Sequence, residues 1–452
     1  MNIGTKSHAR LAGIVVLLLT VVALYVPHTD ITLKCDEANT LYQNANSLPS
    51  ALFAYFSPNN HLLHSALLWL TTTLGGTAAV FVRFPAFAAG LLSVAMTFRL
   101  GRKFGGYRVG MAAAGLLAVN LSFAGFSVNA RGYTLSILLT LIIVELVFCR
   151  PSPLSRRSRY GLLLVSAALV MVLPTMVMVI VAAGLWVLWR AVYRQDRPAR
   201  LSILPLVLGT LTGGLFYLPA FLMGYIGGHI AQFGDSSPFH VLSLWADMMF
   251  GTPVNGLIFV VGCAAGLFYT LTHEGKRPLL VIAFVVFGVT ALIAAGQWLL
   301  TGRLLFARNY FYLLGILALV GGLGLAHLAR RLTVPLVAVL LASAFLPLQM
   351  LGESGDIDAL LDRIYANLTP GDAVLVGPCW DAPVLYHMTQ QGDRDRFWPS
   401  RTATERVFAV SHGQSIDTLL QLYRSQETLS ACQPVDDGTW GSFETYVCTV
   451  NE

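Results

Sequence analysis

The sequence predicts a multi-spanning α-helical membrane protein with about 11 transmembrane helices and a small α/β extracytoplasmic C-terminal domain. Three observations predict it. Hydrophobic residues make up 56% of the chain and charged residues only 12%, against about a quarter charged in soluble domains. Apolar runs of roughly 17–25 residues, the length that crosses a bilayer, recur from Leu11 to Met350. Charge divides sharply along the chain: residues 1–350 hold 23 Lys+Arg and 8 Asp+Glu, whereas 351–452 hold 6 Arg and 15 Asp+Glu.

The first run, Leu11 to Pro27, follows Lys6 and Arg10 and lacks a small-residue cleavage site, so it reads as a retained anchor leaving the cytoplasm. A first outer loop, residues 28–60, comes next. Leu48–Phe56 and His61–Leu74 are apolar but short or interrupted, and suit helices lying in the interface. A crossing from Arg83 returns to Arg99, Arg102, Lys103 and Arg108, and Met111–Phe126 goes out again. Asn129, Arg131 and Tyr133 form a brief outer turn before Leu135–Phe148 comes back to Arg150, Arg156, Arg157 and Arg159. Gly161–Trp189 is too long for one helix and breaks at Pro174. Leu201–Met223 leads to an outer loop ending near Pro253, followed by crossings at Val254–Leu271, Pro278–Leu300, Tyr310–Ala326 and Val334–Met350. With this threading 18 Lys+Arg fall inside, and Lys34, Arg83, Arg131, Arg303 and Arg308 alone fall outside. That asymmetry orients the chain with its N-terminus inside; the membrane expected is the cytoplasmic (inner) one. The basic groups follow this rule and make no nucleic-acid footprint.

The chain is thus divided into a membrane domain, 1–350, and an outer domain, 351–452. In the latter DIDALLDRIYANL has helical spacing and opens on acids, TPGD is a turn, AVLVGP a short buried strand and SIDTLLQLYRSQE a second helix. Cys149 and Cys263 lie in apolar runs. Cys35, Cys379, Cys432 and Cys448 lie outside, where one or two disulfides are expected, with connectivity open.

Chemistry concentrates in Lys34–His64, which carries the adjacent acids Asp36 and Glu37, then Asn60, His61 and His64. A carboxylate pair held against a membrane face is costly and points to function. Single outer arginines can snorkel to headgroups, but Arg83, Arg131, Arg303 and Arg308 share a face with the acids, which favours a polyanionic ligand such as a lipid phosphate. GRKFGG lacks P-loop spacing and reads as a cytoplasmic turn, so a soluble nucleotide donor has no cradle. His61 and His64 share a helical face and could, with Asp36, hold a divalent metal; an interfacial histidine pair is the blander reading of the same spacing. Glu145, one turn from Arg150, reads as snorkelling rather than relaying protons.

Several short motifs then coincide: DEA at Asp36–Ala38, NNHLL at Asn59–Leu63, RFPA at Arg83–Ala86, NARGY at Asn129–Tyr133 and ARNYFYLLG at Ala307–Gly315. This arrangement resembles the GT-C membrane glycosyltransferases that use polyprenyl-phosphate sugars, among them the protein O-mannosyltransferases and the aminoarabinose transferases of lipid A. The resemblance runs over roughly the whole chain. It departs at Leu62–Leu63, where an HPP-like motif would have prolines. It implies an inverting transferase moving a sugar from a polyprenyl phosphate to a lipid, glycan or protein acceptor on the outer face. Asp36 would be the base, with Glu37 orienting acceptor or loop. Arg131 and Arg308, with Arg83 and His61, would hold the donor phosphate, and Asn60, Asn129, Tyr133 and Arg303 would line the substrate. The residues are consistent with that chemistry, because a lipid phosphate is already a good leaving group and needs cations rather than a general acid. Two other classes compete: a transporter or lipid flippase, though internal repeats and mid-membrane charges are missing, and a non-catalytic envelope assembly factor recruiting a partner through its acidic outer domain.

Overall fold

The computed structural model describes the chain except residues 1–2, 56–59, 152, 225–236, 252, 330–332, 334, 336, 340, 343–354, 370, 378–380, 398–405, 412–414, 416–417, 420–427, 441–442 and 452. The helices in chain order are α1 (Ile3–Tyr25), α2 (Cys35–Asn39), α3 (Leu48–Phe53), α4 (Leu62–Gly75), α5 (Ala79–Gly105), α6 (Tyr107–Val119), α7 (Leu121–Ser127), α8 (Tyr133–Ile143), α9 (Arg156–Val172), α10 (Val177–Val192), α11 (Ile203–Leu215), α12 (Leu218–Leu222), α13 (Pro238–Phe250), α14 (Pro253–Thr272), α15 (Arg277–Thr301), α16 (Leu313–Leu328), α17 (Gly355–Asn367) and α18 (Asp381–Gln391). Among the described residues five helices are long and apolar enough to cross a membrane, or six if the bent α6–α7 pair is one span. The protein is therefore a multi-pass membrane protein in its helical part. The expected last crossing, Val334–Met350, lies largely outside the described residues.

Two compact units form. The first comprises Met1–Thr29, Asn44–Gly76 and Val80–Leu351; the second, Asp30–Gln43, Thr77–Ala79 and Gly352–Glu452. In the first unit glycine decides the packing. On α14, Gly262 and Gly266 meet the backbone of α16: a Cβ on Gly266 would lie 2.0 Å from the Val320 carbonyl, and one on Gly324 2.0 Å from that of Gly262. On α11, Gly209 and Gly213 approach the carbonyls of Leu163 and Ala167 on α9 in the same way, at 2.3 and 2.5 Å. Small residues four apart let helix backbones touch where lipid provides no hydrophobic drive for association. The GRKFGG turn is structural: Gly106 takes φ 87° between α5 and α6, a conformation that costs other residues strain.

Several expected spans have internal structure. Met111–Phe126 bends by 72° at Asn120, whose side chain accepts from the Phe123 N–H and donates to the Met248 and Met249 carbonyls. Leu201–Met223 is the two helices α11 and α12, and the expected loop before Pro253 contains α13. The break at Pro174 is present as a 3-10 turn between α9 and α10. Inside α5, Pro85 leaves the Phe81 carbonyl without its helical donor, and the Thr71 hydroxyl supplies one at 2.9 Å. Glu145 departs from the snorkelling expectation. It is buried on a π-helical turn at Val144–Phe148 and paired with Arg99 (3.2 Å) and Lys103 (3.5 Å), because a carboxylate inside an apolar bundle needs cations beside it.

The second unit is a four-stranded sheet in the order β1-β2-β4-β3, with β1 Ala373–Val376, β2 Arg406–Ser411, β3 Thr428–Trp440 and β4 Phe443–Asn451. β1 and β2 are parallel and the remaining pairs antiparallel. Val374 and Val376 join Leu360 and Ile364 of α17 and Val384 and Met388 of α18 on one face, while Ala373 and Leu375 are buried on the other. A strand covered on both sides reads as an unbroken apolar run, as AVLV does. The segment Asp30–Gln43 belongs to this unit, with α2 packed on α18. Cys432 and Cys448 form a disulfide, Cys35 is also disulfide-bonded, and Cys379 lies outside the described residues.

Gly266→Val should force α14 and α16 apart and cost about 1–3 kcal/mol or more, read as a lowered thermal midpoint of the purified protein. Gly288→Ala, at a position where a Cβ meets nothing within 4 Å, should leave the midpoint unchanged.

Candidate active site

The turn Asn129–Gly132 and the entry to α4 build the site in the first unit. Asn60 sets that entry: its amide donates to the Ala54 carbonyl (2.6 Å) and accepts from the Ser65 hydroxyl (2.6 Å). Both ends of this buried amide are engaged within the protein, so Asn60 positions its neighbour His61. Opposite, the Arg131 N–H bonds back to the Asn129 carbonyl at 2.6 Å, which tightens the turn and leaves Tyr133 to start α8.

The result is a buried cationic cluster. Arg131 Nη2 lies 3.4 Å from His61 Nε2, and the Arg131 guanidinium sits 5.7 Å from the centre of the Tyr133 ring. His61 and Tyr133 pack edge to face at 4.8 Å. Behind them Phe126 bridges Tyr133 (4.5 Å) and Phe311 (4.9 Å). Gly132 permits the approach, since a Cβ there would lie 2.7 Å from His61 Nδ1 and 3.0 Å from a Val172 methyl. His61 Nδ1, both ring nitrogens of His64 and Asn129 Oδ1 are buried without a hydrogen-bond partner among the described residues.

α4 has 14 residues, about 21 Å of helix, too short for the ~30 Å hydrocarbon core. Burial holds the His61 pKa well below the usual histidine value, and Arg131, His64 and Arg308 push it further down. Burial and then Arg131 bring His64 to about 3. Both imidazoles are therefore neutral at physiological pH, and the positive charge of the cluster belongs to the arginines. Arg131, 3.4 Å from His61 Nε2, sets a positive charge beside the imidazoles, which disfavours a dication there. Among the described residues no group of three metal-ligating side chains converges.

The other predicted residues fall as follows. Arg308 is half-buried on a 3-10 turn, its guanidinium 4.9 Å from the centre of the Phe306 ring, and it has no ion pair among the described residues. Arg303 lies just beyond α15, where its N–H bonds the Thr301 hydroxyl. Arg83 is fully buried on α5 and donates to the Thr29 carbonyl at 3.2 Å. Asp36 and Glu37 lie on α2 in the second unit. Asp36 is half-exposed; Glu37 is fully buried and accepts from the Lys34 N–H at 2.9 Å, closing the helix N-terminus. Gly132, Phe126 and Phe311 escaped the sequence reading; for Gly132 the signal was its place inside NARGY.

No family model matches the chain, and no curated protein matches it. Solved structures do. ArnT from Cupriavidus metallidurans in the apo state aligns over 99% of this chain and 98% of that one, with TM-score 0.63 and 13% identity. The same protein bound to undecaprenyl phosphate aligns over 98% of each chain, with TM-score 0.63 and 14% identity. The Archaeoglobus fulgidus oligosaccharyltransferase in complex with Zn and sulfate aligns over 88% of this chain and 67% of that one, with TM-score 0.50 and 14% identity. At such identities the likeness is one of fold, shared with ArnT over nearly the whole of both chains.

Two outcomes test the cluster. The folded state keeps both histidines neutral, whereas the unfolded chain protonates them near pH 6.5, so it binds more protons below that value. Stability should be unaffected above about pH 6.5 and fall beneath it by about 1.4 kcal/mol per pH unit for each histidine. Thermal midpoints measured from pH 7.5 to 5 should show this slope, and His64→Gln should make it shallower. Gly132→Ala should displace the His61 ring and abolish whatever ligand binding the cluster supports, with circular dichroism unchanged.

Proposed function

We propose that this chain is an inverting glycosyltransferase that moves a sugar from a polyprenyl phosphate to an acceptor on the outer face of the cytoplasmic membrane. The observation that carries the reading is the cationic cluster: Arg131 buried 3.4 Å from His61, with Arg308 half-buried and bearing no carboxylate partner among the described residues. A guanidinium held in such surroundings gains most from a phosphate, which accepts two parallel N–H bonds from it. The fold adds support, since ArnT, which shares it, has been crystallised bound to undecaprenyl phosphate.

In this mechanism the acceptor oxygen attacks the anomeric carbon from the face opposite the phosphate. The new C–O bond forms as the bond to the phosphate oxygen breaks, and the electron pair leaves on the polyprenyl phosphate. Arg131 and Arg308 stabilise that charge where it develops, and neutral His61 donates or accepts a hydrogen bond without adding charge. Asp36 takes the acceptor's proton as general base. Its partial exposure suits a group that must meet the acceptor, whereas Glu37 is committed to capping α2. A single displacement inverts the anomeric configuration.

The basic residues between helices favour the orientation with the N-terminus inside. The disulfide-bonded cysteines all belong to the second unit, and the free Cys149 and Cys263 to the first. Disulfides persist in oxidising compartments, which favours an outer second unit. Counting α1, α8, α9 and α16 as spans would bring the crossings among the described residues to about ten, and the expected Val334–Met350 crossing, largely outside them, would make about eleven.

Membranes containing the protein, given a panel of labelled polyprenyl-phosphate sugars, should transfer label from one of them. Asp36→Asn should abolish transfer and retain donor binding; undiminished transfer by this variant would remove Asp36 from the mechanism. Arg131→Gln should weaken donor binding at least tenfold, about 1.4 kcal/mol or more.

A further inference from the structure

α8 and its π-helical extension run from Tyr133 to Phe148, roughly 24 Å at helical rise. The His61–Arg131 cluster occupies one end. At the other end, Arg150, Arg190, Arg194, Arg277, Trp186 and Trp189 line a cavity of about 680 Å³. Nothing in the proposed transfer uses it.

Its charges do not cancel. Asp196 pairs with Arg190, and Glu274 with Arg277 at 2.9 Å. Among the described residues neither Arg150 nor Arg194 has a carboxylate partner. Arg150 donates to the Ser158 hydroxyl at 2.7 Å, and Arg194 stacks 5.2 Å over the Trp189 ring. The wall is an aromatic ladder: Phe148 on Trp186 at 5.4 Å, then Trp186 on Trp189 at 4.9 Å, with Arg194 closing the row. The Trp186 indole nitrogen is buried and has no acceptor among the described residues. The turn presenting Arg194 is held under strain. Gln195 adopts φ 53°, and the Asp196 N–H bond to the Arg190 carbonyl (3.1 Å) fixes it. Along α10, exposed Val181, Leu185, Leu188 and Val192 make an apolar stripe on the same helix that supplies Trp186, Trp189 and Arg190 to this cavity.

The geometry points to a binding site for an anionic phospholipid: its phosphodiester between Arg150 and Arg194, its glycerol region on the tryptophan ladder, and its acyl chains along the α10 stripe. Basic pockets between membrane helices hold anionic headgroups, and tryptophan places an amphipathic ring at headgroup level. The lipid belongs to the leaflet opposite the His61 cluster. The inference stands on this cavity alone and does not depend on the transferase reading.

Native mass spectrometry of the full-length purified protein, titrated with phosphatidylglycerol or phosphatidylcholine, tests it. Phosphatidylglycerol should bind the wild type preferentially. R150Q/R194Q should weaken that binding about tenfold or more, and R194Q alone, at an exposed position, should weaken it by an intermediate factor. R102Q/R108Q, which removes equal charge from the α5–α6 turn, should bind like wild type. Equal binding of the two lipids, wild-type affinity in R150Q/R194Q, or displacement of the lipid by millimolar inorganic phosphate would overturn the proposal.

Discussion

The first unit is organised around one electrostatic constraint. A guanidinium at Arg131 is held in the interior beside His61, 3.4 Å away, and His64. Burying a charge costs many kcal/mol unless it is compensated, and the two histidines beside it stay neutral and add no further charge to the interior. Around this point the side chains are fixed rather than adaptable. Asn60 is used at both ends, Tyr133 is clamped between His61 and Phe126, and Gly132 is in contact with the imidazole. A preorganised cation costs no rearrangement when an anion arrives or develops beside it.

Such an arrangement needs helices that come closer than ordinary side chains allow. Glycines supply the approach twice, between α14 and α16 and between α9 and α11, and each time the contact is backbone to backbone. The same economy appears at Pro85, where the freed carbonyl is met by a threonine of α4. In a bilayer there is no water to satisfy a stray carbonyl, so every break in a helix has to carry its own donor. Asn120 does this at the 72° bend, and the bend delivers the chain to the Asn129–Gly132 turn.

The second unit obeys different rules. Its sheet is covered on both faces, and the Cys432–Cys448 disulfide joins the neighbouring strands β3 and β4. The short α2 belongs to it, with Glu37 spent on closing that helix and Asp36 left half-exposed. Two adjacent acids thus have separate occupations, as expected where neighbouring side chains on a helix diverge by about 100°.

Composition and charge were sufficient for the membrane class, the helical bundle and the sheet-containing tail, because bilayer thickness and hydrogen-bond satisfaction leave few alternatives to an apolar run. The break at Pro174 and the buried strand AVLV were legible for the same reason: each follows from the residues at that place. The motif NARGY drew attention to Arg131 and Tyr133, yet nothing local to it indicates that His61, 70 residues earlier, packs against its glycine. The bend at Asn120, the pairing of Glu145 with Arg99 and Lys103, and the membership of Asp30–Gln43 in the second unit were likewise decided in three dimensions. Sequence fixes what each segment can tolerate in lipid or water. Which segments meet depends on complementary surfaces far apart in the chain, and the site's electrostatics follow from that meeting.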